Sequence, residues 1–355
     1  MCFIKSSLWL ARVRMNSTGE YKRTRHDLSL LKDSDSETTM KKAGLTAETL
    51  KGVWAGVTLS WNDDYSLDEV SFRENLKRLC DSKVHGIYTT GSTGEFYALN
   101  FSEFQLIVDI VSEVVAPSGI PVQIGCCADD TRDVQQQIEY AARSEAAGVQ
   151  IVIPYWMELT TAEMLQYFKC VASVAPELPL IHYNIPRAKT FLTGTDYRRI
   201  LEVAPNLIGV KFTFAGSHFE QLQQSMQITP EMSYFVGESL LVSSMQLGAR
   251  GSYSSIVCTN PTFMNELFTL AETRQWDKAI SKQWRLSKFF RQLEDLMDKL
   301  NLGGIDPVAD KGLAVASGFF SGHQRTRAPY IGWSDAGVIQ VRAWLKEHYP
   351  EFLAP

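Results

Sequence analysis

The feature that most constrains this chain is the regular alternation of short, β-branched apolar runs with longer segments of helical period. Segments such as residues 103–115 and 194–203 place apolar residues on one helical face. Eight strands that alternate with helices over about 200 residues favour an α/β fold, a (β/α)8 TIM barrel with a C-terminal helical extension. A doubly wound sheet is the alternative, but no run is followed by the Gly-x-Gly-x-x-Gly turn typical of one. The eight strand-like runs are residues 54–59, 86–90, 121–126, 148–154, 179–183, 207–212, 234–237 and 251–256.

The same pattern divides the chain into three predicted parts. Residues 49–261 are expected to form the barrel, and residues 262–355 a helical region that packs on it. Residues 1–48 differ in composition from the rest of the chain. The first 25 residues carry six Lys and Arg side chains and only one acidic residue, Glu20. We interpret them as a disordered extension, or a start codon assigned too early, of a cytoplasmic protein. A transit peptide and a mitochondrial protein are the alternative.

Composition excludes several classes of function. A formal net charge of −5 provides no basic field for nucleic acid, and no apolar run approaches the ~18 residues of a membrane span. The six cysteines lack the spacing of metal sites, and no two of the six histidines stand four residues apart as metal ligands do on a helix. We therefore expect a protein that acts without a metal or other cofactor on a small molecule.

Two of the predicted strands end in side chains that suit covalent chemistry. Tyr183 and Lys211 each stand where an apolar run stops, and 28 residues separate them, about one strand-helix-strand unit. Neighbouring parallel strands would place the phenol beside the amine. An amine that is withdrawn from water without a carboxylate partner loses its proton more readily and can attack a ketone. A solvated lysine at the end of an edge strand is the alternative.

A second group of polar residues follows the predicted second strand, in Gly91-Ser-Thr-Gly-Glu95. Glycines on both sides of two hydroxyl residues let backbone N–H groups approach a ligand, so that Ser92 and Thr93 could bind a carboxylate. The Ser92–Glu95 spacing could also be a capping box. Because Asn100 offers a second helix start, we expect the loop to remain free for a ligand.

These motifs resemble those of the superfamily of dihydrodipicolinate synthase and N-acetylneuraminate lyase. The resemblance rests on Gly91-Ser-Thr-Gly-Glu95, Tyr183-Asn-x-Pro186, Lys211 and Gly248-Ala-Arg-Gly-Ser252, and it spans roughly residues 50–329. It implies that Lys211 forms a Schiff base with pyruvate, that Tyr183 moves protons, and that Ser92 and Thr93 hold the pyruvate carboxylate. It also implies a homo-tetramer or homo-dimer. The long predicted helix at 276–299, apolar on several faces, independently suggests packing on the barrel or on another subunit.

Two departures from the synthase pattern bear on the second substrate. Trp156 occupies the position where the synthases place a second tyrosine, and Arg187 follows Pro186 directly instead of standing two residues after it. We therefore expect a class I aldolase or lyase that joins pyruvate to an aldehyde other than aspartate semialdehyde. Its substrate would be a 2-keto-3-deoxy sugar acid, 4-hydroxy-2-oxoglutarate or an arylidene pyruvate. A synthase-type condensation and a non-catalytic barrel that binds a 2-oxo acid are the alternatives.

Four further residues are candidates for contact with the substrate. Thr213 and Asn184 would lie beside Lys211 and Tyr183, although either could instead satisfy backbone groups. Glu238 ends the seventh strand and would meet the polar part of the substrate or belong to a solvated loop. Trp156 could contact the substrate, or it could be a core or interface residue.

Overall fold

A computed structural model of the protein, described over residues 44–213 and 218–354, contains a closed barrel of eight parallel strands. Each strand pairs with the next in chain order, and the last pairs with the first, which confirms the predicted (β/α)8 barrel. The strands are β1 Gly52–Gly56, β2 Gly86–Thr89, β3 Val122–Cys126, β4 Gly148–Ile151, β5 Leu180–Asn184, β6 Leu207–Phe212, β7 Ser233–Val236 and β8 Gly251–Ser254.

The helices that surround the strands lie close to the predicted segments. The eight that alternate with the strands are α1 Glu69–Asp81, α2 Phe101–Val115, α3 Thr131–Ala141, α4 Thr161–Ala172, α5 Gly194–Val203, α6 Phe219–Ile228, α7 Leu241–Met245 and α8 Pro261–Glu272. Because α8 follows β8 and packs beside β1 and α7, it completes the ring of helices. The region that begins at residue 262 therefore contributes the eighth helix of the barrel before the extension starts.

The sequence offers two possible starts for a helix here, the Ser92–Glu95 spacing and Asn100, and α2 begins at the second. Asn100 caps this helix by accepting from the N–H of Glu103, and Glu103 in turn accepts from the N–H of Asn100. Glu95 takes no part in a capping box, since its side chain turns into the protein. The Gly91–Glu95 loop is thus separate from the helix, as predicted.

The barrel interior is filled by a small set of large side chains from the inward faces of the strands. Trp54, Tyr88, Ile181, Phe235 and Tyr253 form this cluster with Leu50. Gly86 is required for that packing, since a Cβ there would lie 2.3 Å from the Trp54 ring. A much larger apolar core lies between the strands and the helices. The part of the barrel interior that lies below the carboxyl ends of the strands is therefore filled with side chains.

The extension consists of α9 Trp276–Leu300, α10 Val308–Ser317 and α11 Asp335–His348. The long helix predicted at 276–299 corresponds to α9, whereas the sequence pattern did not predict α10. In α9, Phe289 packs on Phe352 and Tyr349 at ring distances of 4.1 Å and 5.1 Å. The apolar faces of α9 therefore pack largely on the barrel helices and on the end of the same chain, the first of the two alternatives suggested for this helix. Trp284 is the exception, with 72% of its surface exposed.

The predicted N-terminal extension lies outside the described residues, apart from its last few positions. None of the helices within residues 44–213 and 218–354 has the length and apolar character needed to cross a membrane.

Candidate active site

Tyr183 and Lys211 face each other across two neighbouring strands. They are direct partners in the parallel register of β5 and β6, at the carboxyl ends of both strands. Their side chains point to the same side, and the Lys211 Nζ lies 4.0 Å from the centre of the Tyr183 ring. Strand periodicity and spacing in the sequence were therefore sufficient to predict this pair.

The surroundings of Lys211 are aromatic. Its Nζ lies 5.5 Å from the Tyr88 ring centre and 5.4 Å from that of Tyr253, so three tyrosines enclose the half-buried amine. Over the described part of the chain, no carboxylate forms an ion pair with it. Burial, and then the neighbouring Cys127, Tyr183 and Tyr253, hold the pKa of Tyr88 well above its usual range. The Tyr88 ring therefore stays neutral beside the amine.

The Gly91–Glu95 loop supplies the next wall of the site. Thr93 lines the same cavity as Lys211, and Ser92 lines an adjoining one. The Thr93 Oγ1 lies 2.7 Å from Asp310 Oδ2. Thr90 and Glu95, on either side of the two hydroxyl residues, adopt left-handed backbone conformations with φ near 55° and 52°. This bend in the loop turns Glu95 into the interior.

The wall opposite the hydroxyl loop comes from β6, β7 and β8. Thr213 and Glu238 line the lysine cavity, which has a volume of about 190 Å³. The Glu238 carboxylate accepts from the N–H of Ser255 at 2.9 Å. The alternative of a simple solvated loop is therefore wrong for Glu238, which fixes the turn after β8 and also faces the cavity.

Arg187 stands where the lysine cavity meets the adjoining one. It forms an ion pair with Asp306 at 3.0 Å, and its side chain is 55% exposed. Both residues line both cavities, together with Tyr183 and Ile185. The guanidinium is therefore at the site, although a carboxylate already pairs with it.

The adjoining cavity, of about 210 Å³, is mainly aromatic and apolar. Tyr155 lies in its wall, and burial, with smaller contributions from Asp129 and Cys127, raises the pKa of this phenol to about 12. The lining that this cavity does not share with the lysine cavity is Ser92, Phe96, Tyr97, Cys127, Val152, Tyr155, Ala188, Ile305 and Tyr330.

Two predicted site residues are not brought to these cavities. Trp156 is 75% exposed, so it is not a core residue, and its neighbour Tyr155 takes the position in the cavity wall. The side chain of Asn184 is completely buried and bonds to Leu192 through both the N–H and the C=O of that residue, at 3.0 Å and 2.8 Å. It thus satisfies backbone groups, the alternative noted for it.

The sequence interpretation missed the contribution of α10. Asp306 and Asp310 reach the lysine cavity from this helix and the turn before it. Burial, and secondarily Asp306, raise the pKa of Asp310 to about 7. The only available signal was an Asp310-Lys311 pair inside an otherwise apolar stretch from Val308 to Ala316. Such a pair predicts a buried polar contact but does not identify its partner.

No group of three or more His, Cys, Asp or Glu side chains within the described residues is arranged to hold a metal ion. His182 faces the helix layer, with its Nδ1 2.9 Å from the Tyr197 hydroxyl. Burial lowers its pKa to about 3.

The chain is similar to proteins of known family in sequence and in structure. A model of the Dihydrodipicolinate synthetase family matches residues 49–305. A 4-hydroxy-tetrahydrodipicolinate synthase of Methanosphaerula palustris is 27% identical over 248 residues, which cover 68% of this chain and 84% of that protein. The match therefore extends over most of both chains.

Solved structures have the same fold. YagE of E. coli K12, a prophage protein of the dihydrodipicolinic acid synthase family solved with pyruvate, matches with a TM-score of 0.76 and 21% identity. That match covers 84% of this chain and 98% of YagE. N-acetylneuraminate lyase of Fusobacterium nucleatum matches with a TM-score of 0.73 and 19% identity, over 86% of this chain and 99% of that one.

Proposed function

The chain belongs to the dihydrodipicolinate synthetase family, and from this membership and its site we propose that it is a class I aldolase or lyase acting on pyruvate adducts. The observation that carries the proposal is Lys211, held at the carboxyl end of the barrel beside Tyr183. No carboxylate in the described residues pairs with it, so its amine is available for attack on a ketone.

The proposed reaction follows from these positions. Lys211 attacks the ketone of a 2-oxo acid, Tyr183 donates its proton to the departing hydroxyl, water leaves, and an iminium forms. The Tyr183 phenolate then accepts the proton from the hydroxyl of the adduct as the C–C bond breaks and the aldehyde leaves. The electron pair of that bond passes to the iminium and gives an enamine. Protonation of the enamine and hydrolysis then release pyruvate and return the free amine.

The remaining roles are assigned by position. Ser92 and Thr93 would hold the carboxylate of the 2-oxo acid, while Thr213 and Glu238 would meet polar groups next to the reacting carbons. Arg187 would face the distal end of the adduct, where both cavities meet. Neither a metal nor another cofactor takes part in this mechanism, because the iminium itself accepts the electrons.

For the substrate of cleavage we retain the three 2-oxo acids named above: a 2-keto-3-deoxy sugar acid, 4-hydroxy-2-oxoglutarate and an arylidene pyruvate. The last of these must first add water across its C=C bond, which supplies the hydroxyl that the cleavage step requires. The aromatic wall of the adjoining cavity suits a ring, and the polar lining near Glu238 suits hydroxyl groups. Condensation with aspartate semialdehyde is the second candidate. Two features of the sequence argued against it, the absence of a second tyrosine and the shifted Arg187, and Tyr155 in the cavity wall weakens the first of these arguments.

The proposal is tested by chemical trapping and by turnover. Incubation with pyruvate, reduction with borohydride and peptide mapping should place one adduct on Lys211. Pyruvate release from each of the three adducts, and condensation with aspartate semialdehyde, would then be assayed with a coupled dehydrogenase. An adduct elsewhere, or none, contradicts the mechanism. Trapping on Lys211 without turnover of any substrate would instead favour a non-catalytic oxo-acid-binding barrel.

We also propose that the protein assembles as a homo-tetramer or homo-dimer. Trp156 and Met157 are 75% and 72% exposed, next to each other and close to the adjoining cavity, and Trp284 is exposed on α9. Light scattering at micromolar concentration measures the mass directly, and a monomer would contradict the proposal.

A further inference from the structure

Within the described residues, Asp310 differs from the other carboxyl groups of the lysine cavity because its partners are the hydroxyls of Thr93 and Ser255 and not a cation or a backbone N–H. Asp306 pairs with Arg187, and Glu238 accepts backbone N–H groups, whereas Asp310 is bonded to the Thr93 hydroxyl at 2.7 Å. None of the described cations forms an ion pair with it. Asp310 also lies beyond residues 49–305, the part of the chain that the family model matches.

The contact with Thr93 matters because a hydroxyl has only one proton to donate. If Asp310 is ionised, it can only accept, so the Thr93 proton must point at it. The carboxylate of a 2-oxo acid would then meet the lone pairs of Thr93 and a second anion nearby. If Asp310 holds a proton, it donates to Thr93, and the Thr93 hydroxyl is free to donate to the substrate carboxylate.

Both protonation states of Asp310 are accessible near neutral pH. Burial and the charge of Asp306 raise its pKa to about 7, with Glu238 adding to the effect and Thr93 and Ser255 opposing it. A substrate carboxylate at Thr93 would raise this pKa further, while the positive charge of an iminium on Lys211 would act in the opposite direction. The titratable and charged groups that face Asp310 from the surrounding elements are Tyr88, Tyr183, Arg187, Lys211, Glu238, Tyr253, Cys258 and Asp306.

We propose that Asp310 is a positioning residue whose proton sets the direction of the Thr93 hydrogen bond, so that the site accepts the carboxylate of a 2-oxo acid only when Asp310 is protonated. This inference rests on the proposed function, because that function supplies the ligand. In this inference, Asp310 couples the binding of the oxo acid to the uptake of one proton. Asp310 stands on α10, which lies beyond the residues that the family model matches.

The sign of the pH dependence follows from linkage. The state that binds the oxo acid holds one more proton, so affinity is highest below the pKa of free Asp310 and falls as pH rises through it. With a pKa of about 7, the affinity for pyruvate should fall about 20-fold between about pH 6.5 and about pH 8.5. The iminium also holds one more proton than the free amine, so Schiff-base formation contributes a pH dependence of its own, which a comparison with a variant of Asp310 removes.

The test compares the wild type with Asp310→Asn. An asparagine can donate to Thr93 at every pH, so the variant should bind pyruvate about as well as the wild type at about pH 6.5. At about pH 8.5 it should bind roughly 20-fold more tightly than the wild type. The measurement is the pyruvate concentration that gives half-maximal borohydride trapping on Lys211, with the ratio of the two proteins taken at each pH. That ratio removes the contribution of Lys211 itself.

Two controls separate the contributions of the carboxylate and of the Thr93 hydroxyl: lactate as a competing ligand, and the variant Thr93→Val. Lactate has the carboxylate but no ketone, so its competition against pyruvate should follow the same Asp310-dependent trend without any imine. Thr93→Val removes the hydroxyl and should bind pyruvate weakly at every pH, with no 20-fold decline; this variant serves if Asp310→Asn does not fold.

Three results would overturn the inference. A ratio that stays constant from about pH 6.5 to about pH 8.5, or an Asp310→Asn variant that binds more weakly at every pH, would show a merely structural role for Asp310. A Thr93→Val variant that keeps the wild-type decline would exclude the route through Thr93. If pyruvate is trapped on Lys211 in neither protein at any pH, the proposed function fails, and this inference fails with it.

Discussion

Two lysines whose amines are shielded from water flank the hydroxyl loop, and their surroundings differ in burial and in the counter-ion. Lys211 is half-buried among three tyrosine rings and has no carboxylate partner in the described part of the chain. Lys311 is 1% exposed and forms an ion pair with Glu95, whose side chain is also fully buried. The more deeply buried amine is the one that has a counter-ion, so the ion pair, and not the degree of burial, marks Lys311 as structural.

Nearly every polar group buried around Lys311 has a hydrogen-bond partner. Glu95 also accepts from the Trp61 Nε1 and from the N–H of Arg327, both at 2.9 Å, and Lys311 donates to the Arg325 carbonyl at 2.7 Å. Burial lowers the pKa of Lys311 to about 8, and Glu95 opposes that shift by favouring the charged form. This network ties α10 to the hydroxyl loop, and so brings Asp306 and Asp310 to the site.

The largest expected effect comes from removing the unpaired amine. Lys211→Met should abolish borohydride trapping of pyruvate and lower kcat/KM on the order of 10³-fold or more, because no other group can form the iminium. Its free energy of unfolding should stay within about 1 kcal/mol of the wild type, since a thioether packs among the three rings and no ion pair is lost. Urea denaturation and the trapping assay measure the two effects.

A matched control for that variant is Lys51→Met. Lys51 stands at the opposite end of the barrel in an exposed ion pair with Glu272 at 2.7 Å. It should keep both trapping and stability, because such a pair contributes about 0–1 kcal/mol. If Lys51→Met lost trapping, or if Lys211→Met kept it, the contrast drawn between Lys211 and Lys311 would fail.

The opposite result is expected when the paired lysine is removed. Lys311→Met leaves the Glu95 carboxylate buried without its cation, which should lower the free energy of unfolding by about 3–5 kcal/mol. Urea denaturation, fitted together with that of Lys211→Met, checks this value. Equal stability losses in the two variants would mean that the pairing does not distinguish the sites.

A smaller effect sharpens the same comparison. In the double variant Glu95→Gln with Lys311→Met, the uncompensated charge is gone. The single amide oxygen of glutamine can still accept from the Trp61 Nε1 or from the Arg327 N–H, but not from both, because they donate to different oxygens of Glu95. We expect roughly 1–3 kcal/mol of the loss to be recovered, again by urea denaturation. A double variant no more stable than Lys311→Met would show that packing, and not charge, accounts for the loss.

Much of the site was predictable because its main residues stand at strand ends. Eight alternating units define a barrel, neighbouring strands are neighbours in the chain, and a period of two residues directs side chains inward or outward. The pairing of Tyr183 with Lys211 and the outward direction of His182 follow from these local rules. So does the start of α2 at Asn100, which separates the hydroxyl loop from the helix.

What the sequence by itself determined is therefore the barrel, the Tyr183–Lys211 pair and the loop of Ser92 and Thr93. Only the tertiary structure decided that Tyr155 and not Trp156 lines the cavity, that Asn184 serves the backbone, and that Asp306 and Asp310 enter the site. The physical reason is the range of the contacts. Thr93 and Asp310 are 217 residues apart, and Glu95 and Lys311 216. No periodicity or turn rule extends over such separations, because those contacts depend on how α10 packs across the closed barrel.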